Sequence, residues 1–348
     1  MKIHKKPRNA ILKRLVVMFA IVLLAQFSRV GAGGNVVNIP VLMATDSGYV
    51  YPTMVALTSL FDNAAQNTHY DVTIMVPSDF QNDHKNKILM LLQAYERHSI
   101  DFVDMGPAFE DAYTDRSWGT TLTITAYYRL LAAIVLRSVK KCIWLDGDTI
   151  ISEDLQPMLA LDMRDCYVGG IPCFAGRPLG FAKEPPKHRE FLESFGIDSS
   201  HWVCSGVMLM NLEKLREDGC VSKFIECVAN YDEHLHILDE SVINAVCFPY
   251  ILDLPFKYGM FNCWPPVHEL RYWAAGLTTG EERRPSHEKP AIIHFTADNK
   301  PWLNDVARGS VWWRYVPKAP LSDEIKDWAA TQRAAADAQR QLQQMAHA

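Results

Sequence analysis

The run Ile143-Trp144-Leu145-Asp146-Gly147-Asp148-Thr149 takes three apolar residues straight into two carboxylates one residue apart. A buried strand that ends this way turns both carboxylates toward one point at the carboxyl edge of a sheet, where open α/β folds bind their ligands. Paired oxygen donors suit a hard divalent cation such as Mg²⁺ or Mn²⁺. Such ions share their coordination with substrate phosphates, so the expected substrate carries a diphosphate. A solvated turn after a strand is the plainer alternative, because Asp and Gly favour turns for conformational reasons alone.

Two chemistries use such a strand end. Asp146-Gly147-Asp148-Thr149 resembles, letter for letter, the signature of haloacid-dehalogenase-like phosphatases. That resemblance implies a nucleophilic Asp on the first strand and a later acidic pair for Mg²⁺. Here about a hundred residues of apparent α/β structure precede the motif, and no Gly-Asp-x-x-x-Asp setting follows it. The second chemistry is nucleotide-sugar transfer, in which the pair grips Mn²⁺ bridging the two phosphates of a UDP-sugar.

The composition is compatible with both. The chain has 348 residues, 49% hydrophobic and 22% charged, enough for one large domain or two modest ones. A formal charge of −5 argues against nonspecific nucleic-acid binding. Its eight cysteines include no Cys-x-x-Cys pair, which argues against a zinc site or a disulfide framework and for small buried hydrophobes of a reduced compartment.

The elements that must position the carboxylates alternate between strand and helix, as in a doubly wound sheet. Strands are expected at Val41 to Ala44, Tyr70 to Val76, Ile100 to Val103, Cys142 to Leu145, Val207 to Met210 and Ala291 to Ile293. Helices are expected from Pro52 to Phe61, Asp83 to His98, Tyr127 to Leu136, Phe224 to Tyr231 and Asp239 to Phe248. The domain is expected to run over 38–318, with an Ala- and Gln-rich helix or tail over 319–348.

Six polar motifs fall in order along this scaffold. They are Ala44-Thr45-Asp46-Ser47-Gly48-Tyr49, Tyr127-Tyr128-Arg129-Leu130, Trp144-Leu145-Asp146-Gly147-Asp148, Cys204-Ser205-Gly206-Val207-Met208-Leu209-Met210-Asn211-Leu212, Leu238-Asp239-Glu240-Ser241-Val242-Ile243-Asn244 and His294-Phe295-Thr296-Ala297-Asp298-Asn299-Lys300-Pro301-Trp302. Together they resemble family 8 glycosyltransferases, the family of glycogenin and of bacterial lipopolysaccharide galactosyl- and glucosyltransferases. The resemblance implies a GT-A fold: a Rossmann-like, mixed but mainly parallel sheet flanked by helices in one globular α/β domain. It also implies retaining transfer of glucose or galactose from a UDP-sugar to a saccharide or glycolipid acceptor.

The residue types agree with these roles. Asp146, Asp148 and His294 would surround Mn²⁺ (or Mg²⁺), a ligand set that matches the family's. Lys300 and Arg129 would neutralise the diphosphate as UDP leaves. Asp46 and Tyr49, with Thr45 beside them, would hold the nucleoside, the carboxylate accepting from uracil and the ring stacking on it. Gly206 falls among the donor-binding motifs, and Asp239 would bind sugar hydroxyls. Glu240 stands where the family carries Gln. Stabilising an oxocarbenium ion, attacking it to form a covalent intermediate, and capping a helix start are its three readings. Cys204-Ser205 replaces Asn-Ala or Asn-Ser, and Ala297 replaces a common Gly.

Basic residues at Lys2, Lys5, Lys6, Arg8, Lys13 and Arg14 precede a thirteen-residue apolar run, Leu15 to Phe27. Residues 1–37 thus read as a signal anchor, a cleaved signal, or an upstream start foreign to the fold. The first places the protein at a membrane and the last in the cytoplasm. Trp264, Tyr272, Trp273, Trp312 and Trp313 suit sugar faces and membrane proximity. A Mg²⁺-dependent phosphatase and a noncatalytic nucleotide-sugar-binding protein are the other two function classes considered.

Overall fold

The computed structural model describes residues 36–110, 123–172, 186–197, 202–231, 234–235, 237–262 and 289–346. Ten strands lie within them: β1 (Val37–Ala44), β2 (Thr68–Val76), β3 (Ser99–Asp104), β4 (Lys141–Leu145), β5 (Thr149–Ile151), β6 (Val168–Pro172), β7 (Val203–Asn211), β8 (Ile251–Asp253), β9 (Met260–Phe261) and β10 (Ile292–His294). A parallel strand covered on both faces reads as an unbroken apolar run. Val41, Leu42 and Met43 of β1, and Ile143, Trp144 and Leu145 of β4, are such runs, all buried.

Seven strands form the main sheet in the order β3-β2-β1-β4-β7-β6-β8. β2 and β4 both pair parallel to β1, β3 is parallel to β2, and β7 runs antiparallel to β4 and β6. The chain therefore walks outward from β1 to β3 and returns to place β4 on the other side of β1. That reversal of strand order opens a crevice at the carboxyl ends of β1 and β4. Asp46 follows β1 and Asp146 follows β4, so topology alone brings them to one crevice.

A second sheet, β5-β10-β9, completes the architecture. β10 pairs antiparallel with β5, setting His294 opposite Thr149, and parallel with β9. These strands of two or three residues carry no period of their own, and β5 and β9 have no counterpart in the sequence expectations. They form because Ile150, Ile151, Ile292 and Ile293 are buried across the pairing.

Other elements also depart from expectation. The helix expected over Asp83 to His98 is two pieces, Asn82–Leu89 and Leu91–Ala94, joined at Met90, after which the chain turns to enter β3. The segment expected as a helix from Tyr127 is a 3₁₀ helix, Ile124–Leu131, followed by one α-turn, Ala132–Val135. The Ser322–Ala346 helix is not wholly peripheral. Ile325 and Ala329 in its first turns are buried with Trp302, Trp312 and Tyr315, so packing continues past residue 318. Trp312 accordingly belongs to the core and offers no free face to a sugar, while the partly buried Trp313 donates to the Pro301 carbonyl at 3.2 Å. Trp264, Tyr272, Trp273 and the 1–35 segment lie outside the described residues. Among those described, no helix is long and apolar enough to cross a membrane. Six described cysteines are free, and five of them are buried.

Candidate active site and metal centre

The ligand atoms of Asp146, Asp148 and His294 lie within 4.8 Å of one another. His294 Nε2 is 3.1 Å from Asp148 Oδ1 and 3.8 Å from Asp146 Oδ2. β10 delivers the imidazole, and its register is pinned from both sides: Phe295 N–H donates to the Asp148 carbonyl at 3.0 Å, and Asn262 N–H to the His294 carbonyl at 3.1 Å. Gly206 makes room for the ring. A Cβ there would lie 2.0 Å from His294 Cε1, so the residue at 206 must lack one, and its observed part is steric clearance for the ligand histidine.

These residues fit a divalent cation on two counts. Two carboxylates and an imidazole are a donor set for Mn²⁺ or Mg²⁺. Asp148 Oδ1 is also buried with no well-aligned hydrogen bond, although His294 Nε2 stands 3.1 Å away, an arrangement a cation held between the two would relieve.

Lys300 reaches Asp148 Oδ2 from the opposite side, donates to the Phe295 carbonyl at 2.6 Å, and also meets the Tyr49 hydroxyl. Burial alone would lower the Lys300 pKa, but Asp148 and then Tyr49 outweigh it and raise it. Burial would likewise raise Asp148, yet Lys300 and His294 hold its carboxyl well below the usual range. Tyr49 stands edge-on to Trp302, with ring centroids 5.9 Å apart and planes at 87°.

Arg129 is buried beside this cluster. Its buried guanidinium meets Asp146 Oδ1 at 2.9 Å and Asp239 Oδ2 at 3.0 Å, donates to the Ser205 carbonyl at 2.5 Å, and lies over the Trp144 ring. It bridges the Asp146 and Asp239 carboxylates within the protein. Burial would lower its pKa, but Asp146 and Asp239 raise it. Thr45 is similarly internal, its buried hydroxyl 2.9 Å from that of Thr53. Asp46 accepts from Gly48 N–H at 3.0 Å and from the Thr123 hydroxyl at 2.8 Å.

Asp239 and Glu240 open the Leu238–Cys247 helix, and both are buried. Asp239 accepts from Ser205 Oγ–H at 2.7 Å, and burial pushes its pKa up to about 6 against the opposing pull of Arg129. Glu240 accepts from Trp202 Nε1–H at 2.5 Å and Ser205 N–H at 3.2 Å. A continuous polar line thus runs from Lys300 through Asp148, His294, Asp146, Arg129, Asp239 and Ser205 to Glu240. Ser205 stands out in the sequence only as part of the Cys204-Ser205 departure from the family pattern, and Trp202 and Thr123 are not singled out there, Trp202 being marked only by its nearness to Gly206. Ala297 adopts the left-handed backbone region, with φ of 50°, where a glycine would be free of strain.

Residues 40–306 match the profile described as "Glycosyl transferase family 8". The chain belongs to glycosyl transferase family 8. Glycosyltransferase GlyA of Streptococcus pneumoniae serotype 4 is 22% identical over 277 residues, covering 79% of this chain and 34% of that protein. General stress protein A of Bacillus subtilis is 23% identical over 185 residues, covering 52% of this chain and 60% of that one. The chain spans about a third to three fifths of the length of these curated relatives. In fold, this family 8 chain resembles the galactosyltransferase LgtC, solved with donor and acceptor sugar analogues. The TM-score is 0.61 at 18% identity, covering 84% of this chain and 96% of LgtC. The sheet is therefore a GT-A sheet.

Proposed function

We propose that the protein transfers a hexose, glucose or galactose, from a UDP-sugar to a saccharide or glycolipid hydroxyl with retention of anomeric configuration. The observation that carries this reading is the convergence of Asp146, Asp148 and His294 beside Lys300 at the carboxyl ends of β1 and β4. Asp146, Asp148 and His294 would hold Mn²⁺ or Mg²⁺. A divalent ion there supplies positive charge against the leaving diphosphate.

The chain's own residues have separable parts. Lys300 carries a buried positive charge beside the ion's ligands and can share it with UDP as negative charge develops. Asp46 presents an acceptor, and Tyr49 a ring, to the nucleoside. Arg129 orients Asp146 and Asp239 and opposes the upward push of burial on the Asp239 pKa. Asp239 would hold sugar hydroxyls, while Glu240 places a fixed carboxylate where it can offset positive charge at the anomeric carbon or attack it. Likeness to the galactosyltransferase LgtC supports galactose among the donors. A lipid-linked acceptor such as a lipopolysaccharide core, and a membrane location through residues 1–37, are parts of the same proposal.

A screen of UDP-sugars with Mn²⁺, with and without saccharide acceptors, tests the reading. UDP release from a UDP-hexose is expected, together with a proton NMR coupling constant that preserves the donor's configuration. Inversion would refute retention. Binding of UDP and Mn²⁺ without turnover would favour a noncatalytic protein, and phosphate release from monoesters a phosphatase.

A further inference from the structure

Position 240 faces two groups that can only donate. The indole N–H of Trp202 points at Glu240 Oε1 and the backbone N–H of Ser205 at Oε2, and all three residues are buried. A carboxylate answers both. A glutamine of the same shape has one oxygen and one NH₂, so an N–H must face an N–H whichever way the amide is turned. Leaving a buried donor unmet costs more than the net worth of the bond itself.

The geometry around Trp202 is fixed independently of its ring. Asn244, one turn beyond Glu240, accepts from Val203 N–H at 2.9 Å and donates to the Val203 carbonyl at 2.8 Å. The same amide donates to the Glu240 carbonyl at 2.8 Å. The start of β7 and the first turn of the Leu238–Cys247 helix are thereby locked together on either side of the indole–carboxylate bond. Ser205 extends the lock, since its hydroxyl holds Asp239 while its N–H holds Glu240.

We propose that Trp202 is a positioning residue that makes this site specific for a carboxylate at position 240, so that Trp202 and Glu240 act as one unit. The effect on turnover rests on the donor-sugar reading of the site; the effect on stability does not.

A double-mutant cycle on the full chain tests it, with Glu240→Gln, Trp202→Phe and both together. Two quantities are read: thermal midpoint, and UDP release from the UDP-sugar the wild type uses. Glu240→Gln is expected to lower Tm by about 3–10 °C and to slow release at least ~10-fold, with donor KM near wild type. Phenylalanine at 202 removes the unmet donor. The double variant should therefore lose less Tm than the two single losses summed, and should release UDP faster than Glu240→Gln. Additive Tm losses, or wild-type Tm in Glu240→Gln, overturn the pair. Coupled midpoints with simply multiplied rate losses reduce it to packing and overturn positioning. Should Glu240→Gln fail to fold, a folded double variant supports the proposal and an unfolded one ends it. If the wild type turns over no UDP-sugar, the donor reading fails and the Tm cycle alone decides the pair.

Discussion

Asp148 is gripped by Lys300 on one oxygen and approached by His294 on the other, so it serves both the ion site and the fold. Removing one partner of a buried pair strands the other's charge. Asp148→Asn should therefore cost about 3 kcal/mol or more in urea unfolding of the metal-free protein, besides weakening Mn²⁺ binding. Asp146→Asn should weaken Mn²⁺ as much and cost less stability, because Arg129 keeps Asp239 and the Ser205 carbonyl. Equal stability losses would show that Lys300 does not depend on Asp148. Gly206→Ala is a steric test. Its methyl group would displace the His294 ring, and calorimetry should report Mn²⁺ affinity reduced about 10–100-fold; unchanged affinity would mean the ring is not a ligand. At this scale the sequence exposed side chains whose type declares their chemistry, such as the Asp146-Gly147-Asp148 pair and His294. It hid Trp202 and the partner of Ser205, because a hydroxyl or an indole N–H gains its role only from what a distant helix places opposite it.

Between elements, His98 joins the loop before β3 to β2 and the Val50–Asp62 helix. It is buried, its ring stacks on Phe61 with centroids 4.5 Å apart, and Nδ1 accepts from Tyr70 N–H at 3.1 Å. Burial, then the nearby Arg97 and His69 charges, lower its pKa to about 4 from the ordinary 6.5. Between those values the unfolded chain binds the extra proton, so stability rises with pH and is lost as pH falls from 6.5 toward 4. The loss is up to about 3 kcal/mol. Asp239 acts in the opposite sense, since its raised pKa makes stability fall as pH climbs from 3.8 toward about 6. Urea unfolding of wild type and His98→Gln across this range separates them, because the substitution should remove only the acid-side loss. An unchanged slope would acquit His98. Elements were legible where one period ruled a whole segment, as in β1, β2 and β4. β6 was not legible, because Gly169, Gly170 and Pro172 lack strand character and a register shift interrupts its pairing. The 3₁₀ helix was mistaken for an α-helix because its apolar residues serve either winding.

Across the whole molecule, the Ser322–Ala346 helix divides into an anchored start and an exposed end. Ile325 and Ala329 are buried, Glu324 accepts from Tyr51 and Lys87 at 3.0 and 3.1 Å, while Leu342 and Met345 are exposed. Truncation after Ala336 should leave Tm within about 1 °C. Truncation after Ala319 should lower it by several degrees, through loss of the Ile325 and Ala329 contacts; equal midpoints would make the whole helix dispensable. The ion site has a wider dependence still. Asp148 and Lys300 are 152 residues apart, and His294 arrives on β10, the last described strand. During synthesis, the carboxylates leave the ribosome long before the imidazole that faces them, and a chain shorter than 294 residues lacks the third donor. On the proposed function, Mn²⁺ capture becomes a clock that starts only when the domain closes, and a time-resolved metal signal during refolding should lag behind the burial of β1 to β4.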